Sequence, residues 1–128
     1  MSRGGPARIL IVDDERLNRT LMEVILTGAG HVVSHASAGQ EALDIVANVP
    51  VDLVLLDVMM PGLDGYQVAA RLKADPRTNG IPIIMLTALD DRNSRMHGLS
   101  AGAADFLTKP VSRFELLDSV NKLLGPTE

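Results

Sequence analysis

Short apolar runs alternate with stretches of helical spacing along this chain. Residues 7–12, ARILIV, are rich in β-branched side chains and lie between Gly-Gly-Pro and three acids, the pattern of a buried strand. Residues 16–29 carry Leu17, Leu21, Val24 and Ile25 at helical spacing, with Gly28 and Gly30 as stop signals. HVVSHA, 31–36, predicts a second, weaker strand. Ala42, Leu43, Ile45 and Val46 then predict a helix over 40–47, ended by Pro50. VDLVLL, 51–56, is a third strand, and 65–74 a helix with Val68, Ala69 and Leu72 inward. IPIIML, 81–86, is a fourth strand, with Pro82 near its start, where a missing N–H is tolerated. Residues 91–101 predict a polar helix and ADFLT, 104–108, a short fifth strand. A closing helix over 112–124 has Ser112 as N-cap, Glu115 at capping-box spacing, and Leu116, Leu117, Val120, Leu123 and Leu124 as its apolar face.

Five such alternations, with solid apolar strands and no internal linker, predict an α/β fold: a parallel five-stranded sheet with helices on both faces. Ligands of such sheets bind at the carboxyl ends of the strands. The residues found there are Asp13, Asp14 and Glu15 after the first strand and Asp57 after the third. Thr87 and Ala88 follow the fourth strand, and Thr108, Lys109 and Pro110 the fifth.

Composition narrows the chemistry. The 128 residues suit one domain, 1–128, with a core of about 8–124. Apolar residues make up 46%, but aromatics only 2% (Tyr66, Phe106 and Phe114), so the core is aliphatic. The absence of cysteine removes disulfides and thiolate metal sites. A net charge of -4 gives no general attraction to nucleic acid or anionic membrane, and neither is expected as a direct partner. No apolar run is long enough to span a bilayer, and MSRGGPAR lacks the core of a signal peptide, so a cytoplasmic location is expected.

Carboxylates crowded at one edge repel each other, and a hard divalent cation removes the repulsion. Mg²⁺ takes oxygen ligands, held by one or two carboxylates plus phosphate; no His or Cys lies at these positions to favour zinc. A carboxylate beside Mg²⁺ and Lys109 could attack phosphorus, and Thr87 and Lys109 could then hold the new phosphoryl oxygens. Taken singly, these residues have plainer uses: an Asp caps helices, a Lys sits on a surface, and Thr87 could cap the helix after Asp90 and Asp91. His31, His35 and His97 are scattered and are not expected to ligate metal. Met85 and Met96 are expected to pack, and 74–80 to form a solvated loop.

ILIVDDE, LVLLDVMMPGLDGYQV, IPIIMLTA and AGAADFLTKP together resemble the response-regulator receiver domains of two-component signalling, in order and spacing, from about Arg8 to Leu124. The resemblance implies a doubly wound, flavodoxin-like (βα)5 three-layer sandwich with strand order 2-1-3-4-5. It makes Asp57 the acceptor of a phosphoryl group from a sensor histidine kinase or a histidine phosphotransfer protein. Asp14, Asp57 and the Met59 backbone carbonyl would bind Mg²⁺, with Asp13 acting through the water shell. Thr87 and Phe106 would be the switch, Phe106 turning inward behind Thr87, and Lys109 would pair with the phosphoryl group. The Lys109–Pro110 bond would be cis. Phosphorylation would shift the face made by the 91–101 helix, the fifth strand and the closing helix, which a C-terminal output domain or downstream protein reads.

Some positions depart from what such domains often carry. Met59 and Leu89 are apolar where polar side chains could orient an attacking water, which predicts a phosphoryl-aspartate lasting minutes or more. Ser119 stands where a charge-paired dimer face would have arginine, which predicts a monomer or a weak phosphorylation-dependent dimer. The stretch from Thr87 to Pro110 looks more like receivers joined to cyclic-dinucleotide enzymes or standing alone in relays. A phosphatase using an aspartyl nucleophile would need a second acid where Met59 stands. A pure interaction module would not need Asp13, Asp14, Asp57, Thr87 and Lys109 together.

Overall fold

The computed structural model describes residues 6–88, 96–97 and 99–125. Its strands are β1 (Arg8–Val12), β2 (Val32–Ala36), β3 (Leu53–Asp57), β4 (Ile83–Thr87) and β5 (Asp105–Thr108). Its helices are α1 (Arg16–Gly28), α2 (Gly39–Asn48), α3 (Gly65–Ala74) and α4 (Arg113–Leu124), and Met96, His97, Leu99 and Ser100 are also helical. The expected helix over 91–101 is therefore seen only in its second half; Asp91 to Arg95 lie outside the described residues.

All strand pairs are parallel, in the order β2-β1-β3-β4-β5. This is the doubly wound order expected. Successive side chains of a strand point to opposite faces, so each strand feeds two cores. Leu10, Val12, Val54, Leu56, Ile83, Met85 and Phe106 meet Ala42 and Val46 of α2 and Val68, Ala69 and Leu72 of α3. Ile9, Ile11, Leu53, Leu55, Ile84 and Leu86 meet Met22 and Leu26 of α1 and Leu116 and Val120 of α4. β3 and β4 are buried along their whole length, so their carboxyl ends are set by packing rather than by loops.

Helix signals held at α4, with a difference. The Ser112 hydroxyl accepts from the Glu115 N–H, but Glu115 turns its carboxylate to that hydroxyl instead of closing a full capping box. A complete box stands at α3 instead, where Asp64 and Gln67 each take the other's backbone N–H.

Other expectations need correction. α1 forms where Leu17, Leu21 and Val24 predict a helix, but these are 68%, 55% and 65% exposed, and it is Met22 and Leu26 that it turns to the sheet. Met85 is fully buried, but Met96 is 58% exposed and packs into no core. The 74–80 loop is not wholly solvated: Thr78 is buried, and its hydroxyl donates to the Leu72 carbonyl.

Candidate functional site

β1 and β3 are neighbours with Val12 opposite Leu56, so the residues that leave them, Asp13 and Asp57, emerge side by side. Asp57 is itself the last residue of β3, not the first after it, and is 3% exposed. Ligand atoms of Asp13, Asp14 and Asp57 all lie within 4.8 Å of one another. Asp13 is fully buried and Asp14 is exposed at the rim.

Lys109 reaches this cluster from two strands away. Its backbone N–H donates to the Thr87 carbonyl at 2.7 Å, which fixes the start of the side chain. Its Nζ then donates to Asp13 Oδ2 and to Asp57 Oδ1, each at 3.0 Å. The Lys109–Pro110 bond is cis. The other oxygen of Asp13 accepts the Glu15 N–H at 2.9 Å, and Arg19 of α1 donates to the Asp13 carbonyl at 2.7 Å. Both Asp13 oxygens thus have protein partners, while Asp14 keeps its carboxylate at the rim.

The electrostatics follow from that burial. Asp57 is pushed up to about 6, chiefly by loss of solvent and further by the Asp13 charge. The Lys109 bond and charge, and a hydrogen bond from the Met59 backbone, pull it back. Burial also works against the Lys109 ammonium, but its bonds to Asp57 and Asp13 outweigh this and hold its pKa above the usual lysine value. Three carboxylates against one ammonium leave two negative charges in excess when all are ionised. With oxygen donors alone, that excess fits a hard divalent cation such as Mg²⁺.

Thr87 ends β4 beside Asp57 and is 2% exposed. Phe106 lies opposite Met85 in the register of β4 and β5, is 6% exposed, and already packs into the core under α3. The Met59 side chain is 68% exposed, between buried Val58 and Met60. Leu89 lies outside the described residues.

The histidines all have other company. His31 accepts the Ala7 N–H, His35 meets Glu23 at 3.0 Å, and His97 stacks on Tyr66 with ring centroids 3.9 Å apart. Ser119 is buried and hydrogen-bonded to the Asp105 carboxylate, which also accepts the Phe106 N–H. The sequence pointed to Ser119 only as an arginine not present. Arg19 was not anticipated either; an arginine on the turn after an acidic loop was its only signal.

The response regulator receiver domain family matches residues 9–121. The response regulator PleD of Caulobacter vibrioides is 49% identical over 117 residues, 91% of this chain and 26% of that protein. A putative response regulator from Chloroflexus aurantiacus superposes with a TM-score of 0.87 at 42% identity, covering 93% of this chain and 98% of that one. The receiver domain of the sensor histidine kinase PA1611 of Pseudomonas aeruginosa, solved with magnesium coordinated in its active-site cleft, gives a TM-score of 0.87 at 32% identity, covering 94% of this chain and 99% of that one. The chain spans about a quarter to a half of the length of the curated relatives it matches, some of them named as transcriptional regulators.

Proposed function

The chain belongs to the response regulator receiver domain family of two-component signalling, a signalling domain rather than a classical enzyme, and on that footing we propose that Asp57 is its phosphoryl acceptor. The observation that carries this is the Lys109 ammonium held between Asp13 and Asp57 at 3.0 Å from each, with Asp14 open at the rim. An Asp57 oxygen attacks the phosphorus of a phosphohistidine in line; the P–N bond breaks as the O–P bond forms, and the imidazole nitrogen keeps the electron pair. Lys109, freed from Asp57 Oδ1 as that carboxylate becomes an acyl phosphate, donates to the phosphoryl oxygens. Thr87, at the adjoining strand end, supplies a hydroxyl to another of them. Asp14, Asp57 and the Met59 carbonyl are the residues that would hold Mg²⁺, and Asp13 the one that would act through its waters. When bound, the ion neutralises charge that collects on the transferred group.

The donor is a histidine kinase or a histidine phosphotransfer protein. α1 offers Leu21 and Ile25 beside Pro110 and Val111, an apolar groove on the rim of the acidic cluster where a histidine-bearing helix can rest. Thr87 and Phe106 pass the change to the face made by the helical residues Met96, His97, Leu99 and Ser100, β5 and α4, and an output module or downstream protein reads it. The domain is a monomer or a weak phosphorylation-dependent dimer, since buried Ser119 stands where a charge-paired dimer face would have arginine. Contact with nucleic acid is left to other proteins or segments.

Incubation with acetyl phosphate and Mg²⁺, followed by intact-mass measurement, tests the reading. One phosphoryl adduct is expected, absent in Asp57→Ala and without Mg²⁺. With apolar Met59 two residues after the acceptor and apolar Leu89 two after Thr87, the adduct is expected to last minutes or more. An adduct that survives Asp57→Ala, or none at all, overturns the assignment.

A further inference from the structure

Gly39 is the first residue of α2, and nothing in its backbone angles demands glycine: its φ lies outside the left-handed region. Space demands it. A β-carbon there would lie 2.7 Å from Val68 Cγ2, 2.8 Å from Leu63 Cβ and 2.9 Å from the Leu63 carbonyl oxygen, all below the 3.0 Å that real Cβ atoms keep. The Val68 methyl can turn aside. The Leu63 Cβ and carbonyl cannot, because they move only with the backbone.

Leu63 lies on the segment that runs from the acceptor strand to α3. That segment is held at its base, where the Gly65 N–H donates to the Val58 carbonyl at 3.0 Å. Asp64 and Gln67 fix its far end by their capping box. Between them lie Met59, whose backbone hydrogen-bonds Asp57, buried Met60, which ties the middle of the segment to the core, and exposed Pro61 and Gly62, where side-chain packing gives little support. The start of α2 is the wall against this stretch.

We infer that Gly39 is a positioning residue for the 58–64 loop: by carrying no side chain it lets α2 press on Leu63, and this contact sets where the Met59 backbone sits against Asp57. The inference deepens the acceptor reading and rests on it for its effect on Mg²⁺. A β-carbon at Gly39 drives Leu63 outward and carries the loop with it. Residues of α1, on the other side of the sheet, are unaffected.

The test compares the intact chain with Gly39→Ala and with Val46→Ala, which trims the core contact of α2 two helical turns beyond Gly39. Mg²⁺ affinity is read by calorimetry and loop order by amide hydrogen exchange at Met59–Asp64. Gly39→Ala is expected to bind Mg²⁺ about tenfold or more weakly, the size of effect that supporting residues exert on a metal site. Its loop amides should exchange at least about tenfold faster while α1 amides keep their rates. Val46→Ala should lose stability and keep the wild-type Mg²⁺ affinity. Wild-type affinity and loop exchange in Gly39→Ala, or an equal loss of affinity in Val46→Ala, overturn the inference. Should Gly39→Ala not fold, Leu63→Ala loosens the same contact from the other side; the same losses are expected, and unchanged values overturn it. If the wild-type chain itself binds no Mg²⁺, the acceptor reading falls, and the exchange comparison still decides whether Gly39 holds the loop.

Discussion

On one face of the sheet, α2 and α3 fit so closely that glycines at their first residues are hemmed in by neighbouring backbone: Gly39 by Leu63, Gly65 by Asp57 and Val58. On the other face, α1 and α4 bury Met22, Leu26, Leu116 and Val120 but leave Leu17, Leu21, Val24 and Phe114 between 55% and 79% exposed. Both layers cover strands of the same kind, so burying the sheet does not account for the contrast. The first layer touches the backbone of Asp57 and Val58 at Gly65 and has no room for a β-carbon at either glycine. The second keeps apolar side chains in water, and one of them, Leu21, lines a groove with Lys109 and Pro110, the mark of a surface that meets another molecule.

The most damaging way to break the contrast is Gly65→Ala. Its β-carbon would run into the Asp57 carbonyl oxygen and lie 2.9 Å from the Val58 Cα, backbone atoms of a buried strand end with nowhere to go. A loss of about 3 kcal/mol is expected in urea unfolding, the upper part of the overpacking range; a stability within experimental error of wild type would show that this layer is looser than its contacts imply. Next comes Asp57→Asn. Folding raises the Asp57 pKa from 3.8 to about 6, so the folded state holds its proton more tightly than the unfolded chain. The resulting penalty is absent at low pH, grows as pH rises between those values and is complete above about pH 6. Removing the charge should therefore stabilise the metal-free protein by about 1–3 kcal/mol at pH 8 and by little at pH 4, read from denaturant midpoints at each pH. A gain larger at pH 4 would reverse the sign of the argument. The smallest effect sharpens the other layer. Leu21→Asp should leave stability within about 0.5 kcal/mol, as an exposed substitution does, and leave acetyl phosphate labelling unchanged. Transfer from a phosphohistidine protein donor should fall about tenfold, or about 1.4 kcal/mol. Equal transfer rates would move the donor's docking site off α1.

The strands were readable because β-branched runs in a doubly covered sheet have no polar face to confuse the period. Asp13, Asp57, Thr87 and Lys109 were readable because a parallel sheet delivers every strand end to one edge. α1 was harder. It carries two apolar stripes, Leu17–Leu21–Val24 and Met22–Leu26, and periodicity finds a stripe without saying whether sheet or solvent lies beneath it. Gly39 was silent because its reason is a contact with a segment more than twenty residues away, and glycine in a turn before a helix looks ordinary. Thr78 and Ser119 went unseen as buried groups for a related cause: each is polar in sequence and is kept inside by hydrogen bonds that only the fold supplies.

Tyr66, stacked face to face on His97, is the single tyrosine of a chain without tryptophan. Its ring follows Gly65 directly, and Gly65 rests on the Asp57 backbone, so the chain's main ultraviolet emitter is wired to the acidic cluster on one side and to the Met96–Ser100 helix on the other. Any change in how those two parts sit together therefore alters the surroundings of this one phenol ring, which its absorbance and emission can report with no dye or added label.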